Sequence, residues 1–140
     1  MESNTQSIDI DAPAAVVFEL LADGNGLPSW TNGFVSRVHE TGPGVWRLET
    51  PRGPLSWRIV GDASRGTVDF FTEVDHPDRA TYARVVPRGE GSVVMLTMIR
   101  WPDLDAERFA SMKTALAEEL RSIKSVSESR GRSAERDRDG

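Results

Sequence analysis

Cysteine is absent from this 140-residue chain, which excludes disulfide scaffolds, thiolate metal centres and cysteine nucleophiles. Histidine is nearly so: His39 and His76 stand alone in the sequence, a poor start for a transition-metal site, so neither a metal nor a cofactor is expected. An excess of basic charge is also lacking. Lys and Arg total 17 against 22 Asp and Glu, a formal charge of −5, and no basic block stands out, so a nucleic-acid partner is not expected. The longest apolar stretches, Ala14 to Phe18 and Val93 to Ile99, fall far short of the roughly 20 residues that cross a bilayer, which argues against membrane insertion. The first ten residues carry neither the charged nor the apolar region of a secretory signal, and a cytoplasmic location is expected. No Gly-x-Ser-x-Gly setting accompanies any serine, and Gly24-Asn25-Gly26 and Gly42-Pro43-Gly44 read as turns, not phosphate loops.

What is present is enough apolar material for one core: 38% of the residues are hydrophobic, and the length is typical of one domain. Composition changes at Ser127. The last 14 residues hold one apolar residue, Ala134, and four arginines balanced by four acids. The division expected is a single domain over residues 1–126 and a disordered polar tail over 127–140.

Within the domain, Ser7-Ile8-Asp9-Ile10-Asp11 alternates as a strand with one buried face. Pro13 then suits a helix start, Val16, Val17, Leu20 and Leu21 recur at helical spacing, and Gly24 supplies a stop. A second short helical piece falls over Leu27 to Thr31. Beyond Asn32-Gly33, six short runs rich in Val, Phe, Trp and Thr are separated by turn clusters, the pattern of a meander of hairpins. A long helix starts near Asp103 or Asp105, with Phe109, Met112, Leu116, Leu120 and Ile123 forming its apolar stripe. The architecture expected is α+β: an antiparallel sheet of about seven strands burying one face against the terminal helix. A twisted sheet is much wider than one helix, whose diameter is about 10–12 Å, so a cavity between the two is expected.

Two hairpins assign faces. With a four-residue connection over Pro51 to Pro54, Thr50 sits opposite Leu55, Leu48 opposite Trp57 and Trp46 opposite Ile59, and the other face is Arg47, Glu49, Ser56 and Arg58. Trp46, Leu48, Trp57 and Ile59 therefore point inward. Val68, Phe70 and Thr72 follow the same rule, leaving Phe71 outward without a stated role. In the last hairpin Tyr82, Arg84 and Val86 share a face with Val93, Met95 and Thr97, while Ala83 and Val85 share one with Val94 and Leu96. Either set satisfies the alternation as an inner face. The first would give an apolar cavity polar groups that orient a ligand.

Ile8-x-Ile10-x-Ala12-Pro13, the helix with Val17 and Phe18, Asp23, and Leu27-Pro28-x-Trp30 resemble the START-like or SRPBCC superfamily, the helix-grip fold. Leu55-Ser56-Trp57-Arg58-Ile59, Val68-Asp69-Phe70, Arg84-Val85-Val86-Pro87 and the terminal helix look like members of its polyketide cyclase/dehydrase or lipid-transport branch. The resemblance implies a curved sheet wrapped around the last helix, with two short helices after the first strand. It leaves chemistry open, because that scaffold serves carriers, cyclases, receptors and co-chaperones.

The function expected first is binding of a small, largely hydrophobic molecule (lipid, polyketide or aromatic metabolite) by a monomer or homodimer. Its contacts would come from Phe34, Trp46, Trp57, Phe70, Tyr82, Arg84, Met95, Met112 and Leu116. The alternative is a polyketide cyclase or aromatase in the same cavity, with Tyr82, Arg84 or His39 moving protons. A third reading is a co-chaperone-like interaction module using Arg47, Arg58 and an exposed Phe71.

Overall fold

The structure is a computed structural model that describes residues 1–139, with side chains through residue 137. In chain order the elements are β1 (Ser3–Ile10), α1 (Ala14–Ala22), a 3₁₀ turn (Gly24–Gly26), α2 (Leu27–Trp30), β2 (Arg37–Gly42), β3 (Val45–Thr50), β4 (Gly53–Asp62), β5 (Thr67–Phe71), β6 (Ala80–Arg88), β7 (Gly91–Ile99) and α3 (Ala106–Asp139). The seven strands form one antiparallel sheet in the order β1-β7-β6-β5-β4-β3-β2. Strands β2 to β7 follow one another as hairpins, and the short helices carry the chain from one edge of the sheet, β1, to the other, β2. This is the helix-grip architecture.

Local chemistry explains the boundaries. The Pro13 carbonyl accepts from the N–H groups of Val16 and Val17 at 3.0 and 3.3 Å, which closes the first turn of α1, and Val17, Leu20 and Leu21 are fully buried. Asp105 begins α3 by accepting from Arg108 N at 2.7 Å, satisfying one of the donors a helix start leaves free. The β3–β4 turn is tighter than the spacing of its prolines predicts. Thr50 pairs with Gly53, not Leu55, leaving a two-residue turn at Pro51-Arg52, with Gly53 in the left-handed region at φ +93°. The register is therefore shifted by two: Leu48 faces Leu55 and Trp46 faces Trp57. A shift of two keeps every side chain on its expected face. Trp46, Leu48 and Ile59 are buried, whereas Arg47, Glu49, Ser56 and Arg58 are exposed or nearly so.

The last hairpin has the expected register, Tyr82 with Thr97 and Arg84 with Met95. Its inner face is the apolar set, with Ala83, Val85, Val94 and Leu96 buried. That choice desolvates no guanidinium. Strand β1 enforces it, since Ile8 pairs with Val94 and Ile10 with Ser92, so a sheet that buries the isoleucines buries even-numbered β7 residues. Phe71, on the outer face, is covered by its cross-strand partner Arg58, whose guanidinium lies 4.0 Å from the ring centroid.

Helix α3 packs chiefly on β1, α1 and α2, with a lighter contact on β7. Gln6 Nε2 donates to the Lys113 carbonyl at 2.9 Å, tying it to β1. The expected disordered tail is corrected here: the helix continues without a break from residue 127 through Asp139. Tertiary contact supplies the reason. Ser127 and Gly131, one turn apart, are buried against the β1–α1 corner, where a Cβ on Gly131 would lie 3.3 Å from that of Ala12. Glu128 accepts from Asp11 N at 2.8 Å and from Lys124 Nζ.

The Lys124 hydrogen bond first, and the Asp11 N–H second, hold the Glu128 carboxyl below its usual range. A depressed carboxyl stabilises the fold above its unfolded value of 4.5 and loses that contribution as pH falls through the folded one. Glu128→Gln is expected to lower stability at pH 7 by up to about 1 kcal/mol, with a smaller difference from wild type in acid below pH 4.5, as read by urea unfolding.

Candidate functional site

Because α3 lies along the β1 side of the sheet and α1 covers only one end of the middle strands, the other end of their inner faces bounds a cavity of about 560 Å³. That volume lies within the range of small-molecule sites. Sheet residues Leu55, Trp57, Phe70, Leu96 and Met98 form the floor, and Met112, Ala115, Leu116 and Glu119 of α3 the opposite wall. Trp30 and Phe34, from α2 and the loop after it, close one end.

Four aromatic rings make a continuous surface. Trp30 meets Phe70 edge-on at 5.7 Å, Phe70 meets Trp57 at 6.4 Å, and Trp57 lies 6.3 Å from Phe34 at a 33° tilt. Each such pair contributes about 0.5–1.5 kcal/mol beyond area burial, enough to hold the rings in place. The loop that presents Trp30 and Phe34 is itself fixed. Thr31 Oγ1 donates to the Leu27 carbonyl (2.7 Å) and accepts from Val35 N (3.2 Å). Asn32, in the left-handed region at φ +55°, accepts at Oδ1 from Ser122 Oγ of α3 (2.5 Å).

Outside the cavity lining, Arg79 joins the loop after β5 to the loop before α3. Its Nη1 lies 2.6 Å from Asp103 and 3.7 Å from Glu73, and its guanidinium sits 4.9 Å from the Trp101 ring centroid. The Arg79 hydrogen bond holds the Asp103 carboxyl below its usual range.

Of the nine contact residues expected from sequence, the structure brings five together on the cavity: Phe34, Trp57, Phe70, Met112 and Leu116. Four are corrected. Trp46 faces inward but is solid core beneath the 3₁₀ turn, so close to Gly24 that a Cβ there would approach its ring to 2.2 Å. Tyr82, Arg84 and Met95 lie on the outer face of the sheet, for the reason given by β1. His39 is exposed on the edge strand β2, opposite Arg47, and is no cavity base. Among the described residues no group of three or more His, Asp or Glu is placed to hold a metal ion.

The residue that sequence reasoning missed is Glu119. It lies seven positions after Met112 and three after Leu116, hence on the inward stripe of α3. Burial in this apolar wall pushes its carboxyl up to about 7. Among the described residues it has neither a hydrogen-bond nor an ion-pair partner, and desolvation is the sole cause of the shift. Trp30 Nε1 is likewise buried without a partner among the described residues.

The fold and an aromatic-walled cavity open to solvent on one side define a helix-grip protein of the SRPBCC type. Residues 1–128 match the family described as polyketide cyclase / dehydrase and lipid transport, and the chain belongs to that family. No curated protein matches it. Similar solved structures include the Zhui aromatase/cyclase from a Streptomyces species, at 19% identity and TM-score 0.68 over 92% of this chain and 94% of that one. The Aha1 dimer from Colwellia psychrerythraea is similar at 17% identity and TM-score 0.73, over 91% and 97%. The di-domain ARO/CYC BexL is similar at 22% identity and TM-score 0.68, over 89% of this chain and 45% of that one. No helix of the described residues is long and apolar enough to cross a membrane.

A carboxyl whose folded value is raised binds its proton more tightly in the native state, so stability falls as pH rises from 4.5 toward 7 and then levels off. Glu119→Gln removes this loss. The variant is expected to match wild type near pH 4 and to exceed it by up to about 3 kcal/mol at pH 9. Urea unfolding at the two pH values measures the difference.

Proposed function

We propose that this protein binds a small, largely hydrophobic molecule of lipid, polyketide or aromatic character in the cavity between the sheet and α3. The observation that carries the reading is the continuous surface of Trp30, Phe70, Trp57 and Phe34 bordering a space of about 560 Å³. Apolar area removed from water there contributes about 25 cal/mol per Å², and the rings are already ordered, so little rotamer freedom is lost on binding. We take the chain to act in the cytoplasm, as a monomer or homodimer, without cofactor or nucleic acid. The dimeric Aha1 structure supports the homodimer as one of those states.

A cyclase working in the same cavity is the second reading, and one observation favours it: Glu119 puts a group that titrates near neutrality in the wall. Such a group fits general acid or base work at physiological pH. The interaction module read from an exposed Phe71 and a filled interior has less support, since Arg58 covers that ring and the interior holds a cavity.

Titration with the neutral fluorophore N-phenyl-1-naphthylamine is expected to show saturable one-to-one binding. Trp57→Ala and the rim-filling Ala115→Trp should each weaken it about tenfold or more while leaving the circular dichroism spectrum unchanged. Absence of saturable binding by wild type, or equal binding by both variants, sinks the cavity reading. Native mass spectrometry of freshly purified protein names the ligand class if one is carried through.

A further inference from the structure

The two edges of the sheet are finished differently. Strand β2 is short, carries Arg37, His39 and Glu40, and is interrupted by a bulge between Glu40 and Gly42, features that keep an edge from pairing with another chain. Strand β1 has none of them. It holds its register with β7 from Ser3 to Ile10 and carries no charge and no proline before Asp9.

Parity identifies the groups this edge leaves unused. Arg100 N donates to the Glu2 carbonyl at 2.8 Å, so Glu2 and every second residue after it turn their main-chain groups to β7, and Ser3, Thr5, Ser7 and Asp9 turn theirs outward. Helix α3 satisfies only the far end of that row: Lys124 Nζ donates to the Asp9 carbonyl at 3.2 Å, and Glu128 accepts from Asp11 N at 2.8 Å. The N–H and C=O groups of Ser3, Thr5 and Ser7 meet no partner among the described residues.

The side chains determine what fits there. Ser3-Asn4-Thr5-Gln6-Ser7 reads hydroxyl, amide, hydroxyl, amide, hydroxyl from either end. Laid antiparallel on a copy of itself about Thr5, the segment sets Ser3 opposite Ser7, Asn4 opposite Gln6 and Thr5 opposite Thr5, so hydroxyls meet on the outer face and amides on the inner one. The amides are complementary. Gln6 Nε2 already donates to Asn4 Oδ1 and to the Lys113 carbonyl, both at 2.9 Å, which leaves Gln6 Oε1 to accept and Asn4 Nδ2 to donate.

We propose that β1 is a self-recognition edge, to which a second copy of this chain adds its own β1 antiparallel, centred on Thr5, to give one continuous sheet. The pairs Ser3–Ser7, Thr5–Thr5 and Ser7–Ser3 each exchange two main-chain hydrogen bonds, about six in all. The segment has no charge to select an acidic or a basic strand, whereas its own antiparallel copy is matched at every position. This names the surface for the homodimer among the states proposed above, on which it rests, and it is independent of the cavity, whose lining residues all lie off β1.

Sedimentation of the full chain between about 1 and 300 μM reads the outcome, and wild type is expected to dimerise with a dissociation constant on the order of tens of micromolar, as suits an interface below about 1,200 Å². Thr5→Pro deletes an outward N–H and no bond to β7, and is expected to weaken association about tenfold or more, with the circular dichroism spectrum and N-phenyl-1-naphthylamine binding unchanged. The exposed serines test the register without proline. Ser3→Lys with Ser7→Lys sets like charges across both outer pairs and should weaken the dimer about tenfold, whereas Ser3→Lys with Ser7→Glu sets opposite charges there and should hold or tighten it. Added salt should narrow the gap between these two double variants. A dimer that all three variants leave unchanged overturns this surface and leaves the homodimer standing. Wild type monomeric at every concentration overturns both, and the cavity reading is untouched.

Discussion

One mismatch of dimensions governs this molecule. Seven strands spaced about 4.8 Å apart make a sheet roughly 30 Å across, and a single helix about 10–12 Å wide cannot cover it. Helix α3 settles on the β1 side, where Gln6 reaches the Lys113 carbonyl and the β1–α1 corner receives Ser127 and Gly131. Helix α1 covers one end of the inner faces of β4, β5 and β6, the other end is left without a helix, and twist curls it around the gap without closing it. The aromatic residues sit at this border because large rings bury much of their surface against one another while one side still faces open space.

The same geometry determines where charge is tolerated. On the outer face, Arg58 lies across Phe71 and keeps its guanidinium in water while shielding the ring. On the cavity wall the half-buried Glu119 has no cationic partner among the described residues, and desolvation disfavours its ionised form. A carboxyl in that setting works against the fold at high pH. Its place on the wall of a cavity is the kind of local inconsistency that marks a working site more often than a structural one.

Much of this was legible in the chain. The inward set Trp46, Leu48, Trp57 and Ile59 survived a turn two residues shorter than expected, because a two-residue slip preserves faces. The final hairpin was ambiguous read alone, yet Ile8 and Ile10 held the answer, which needed only the pairing of β1 with β7. Glu119 was visible too: Met112, Leu116, Glu119 and Ile123 follow at steps of four, three and four, but a stripe counted from apolar residues passes over an acid that belongs to it. The segment after Val126 was misread because composition averages over residues, while Ser127 and Gly131 act through smallness at one-turn spacing, which brings the helix close to Ala12.

Sequence alone determined the order of elements, the alternation of each strand and the family, since these depend on neighbours a few residues apart and on turn chemistry. Only the tertiary structure decided which alternating face lies inside, that Trp46 fills the core while Trp57 borders open space, and that one glutamate among many is partly desolvated. Those outcomes depend on distances between segments far apart in the chain, set by where one helix comes to rest on a sheet too wide for it.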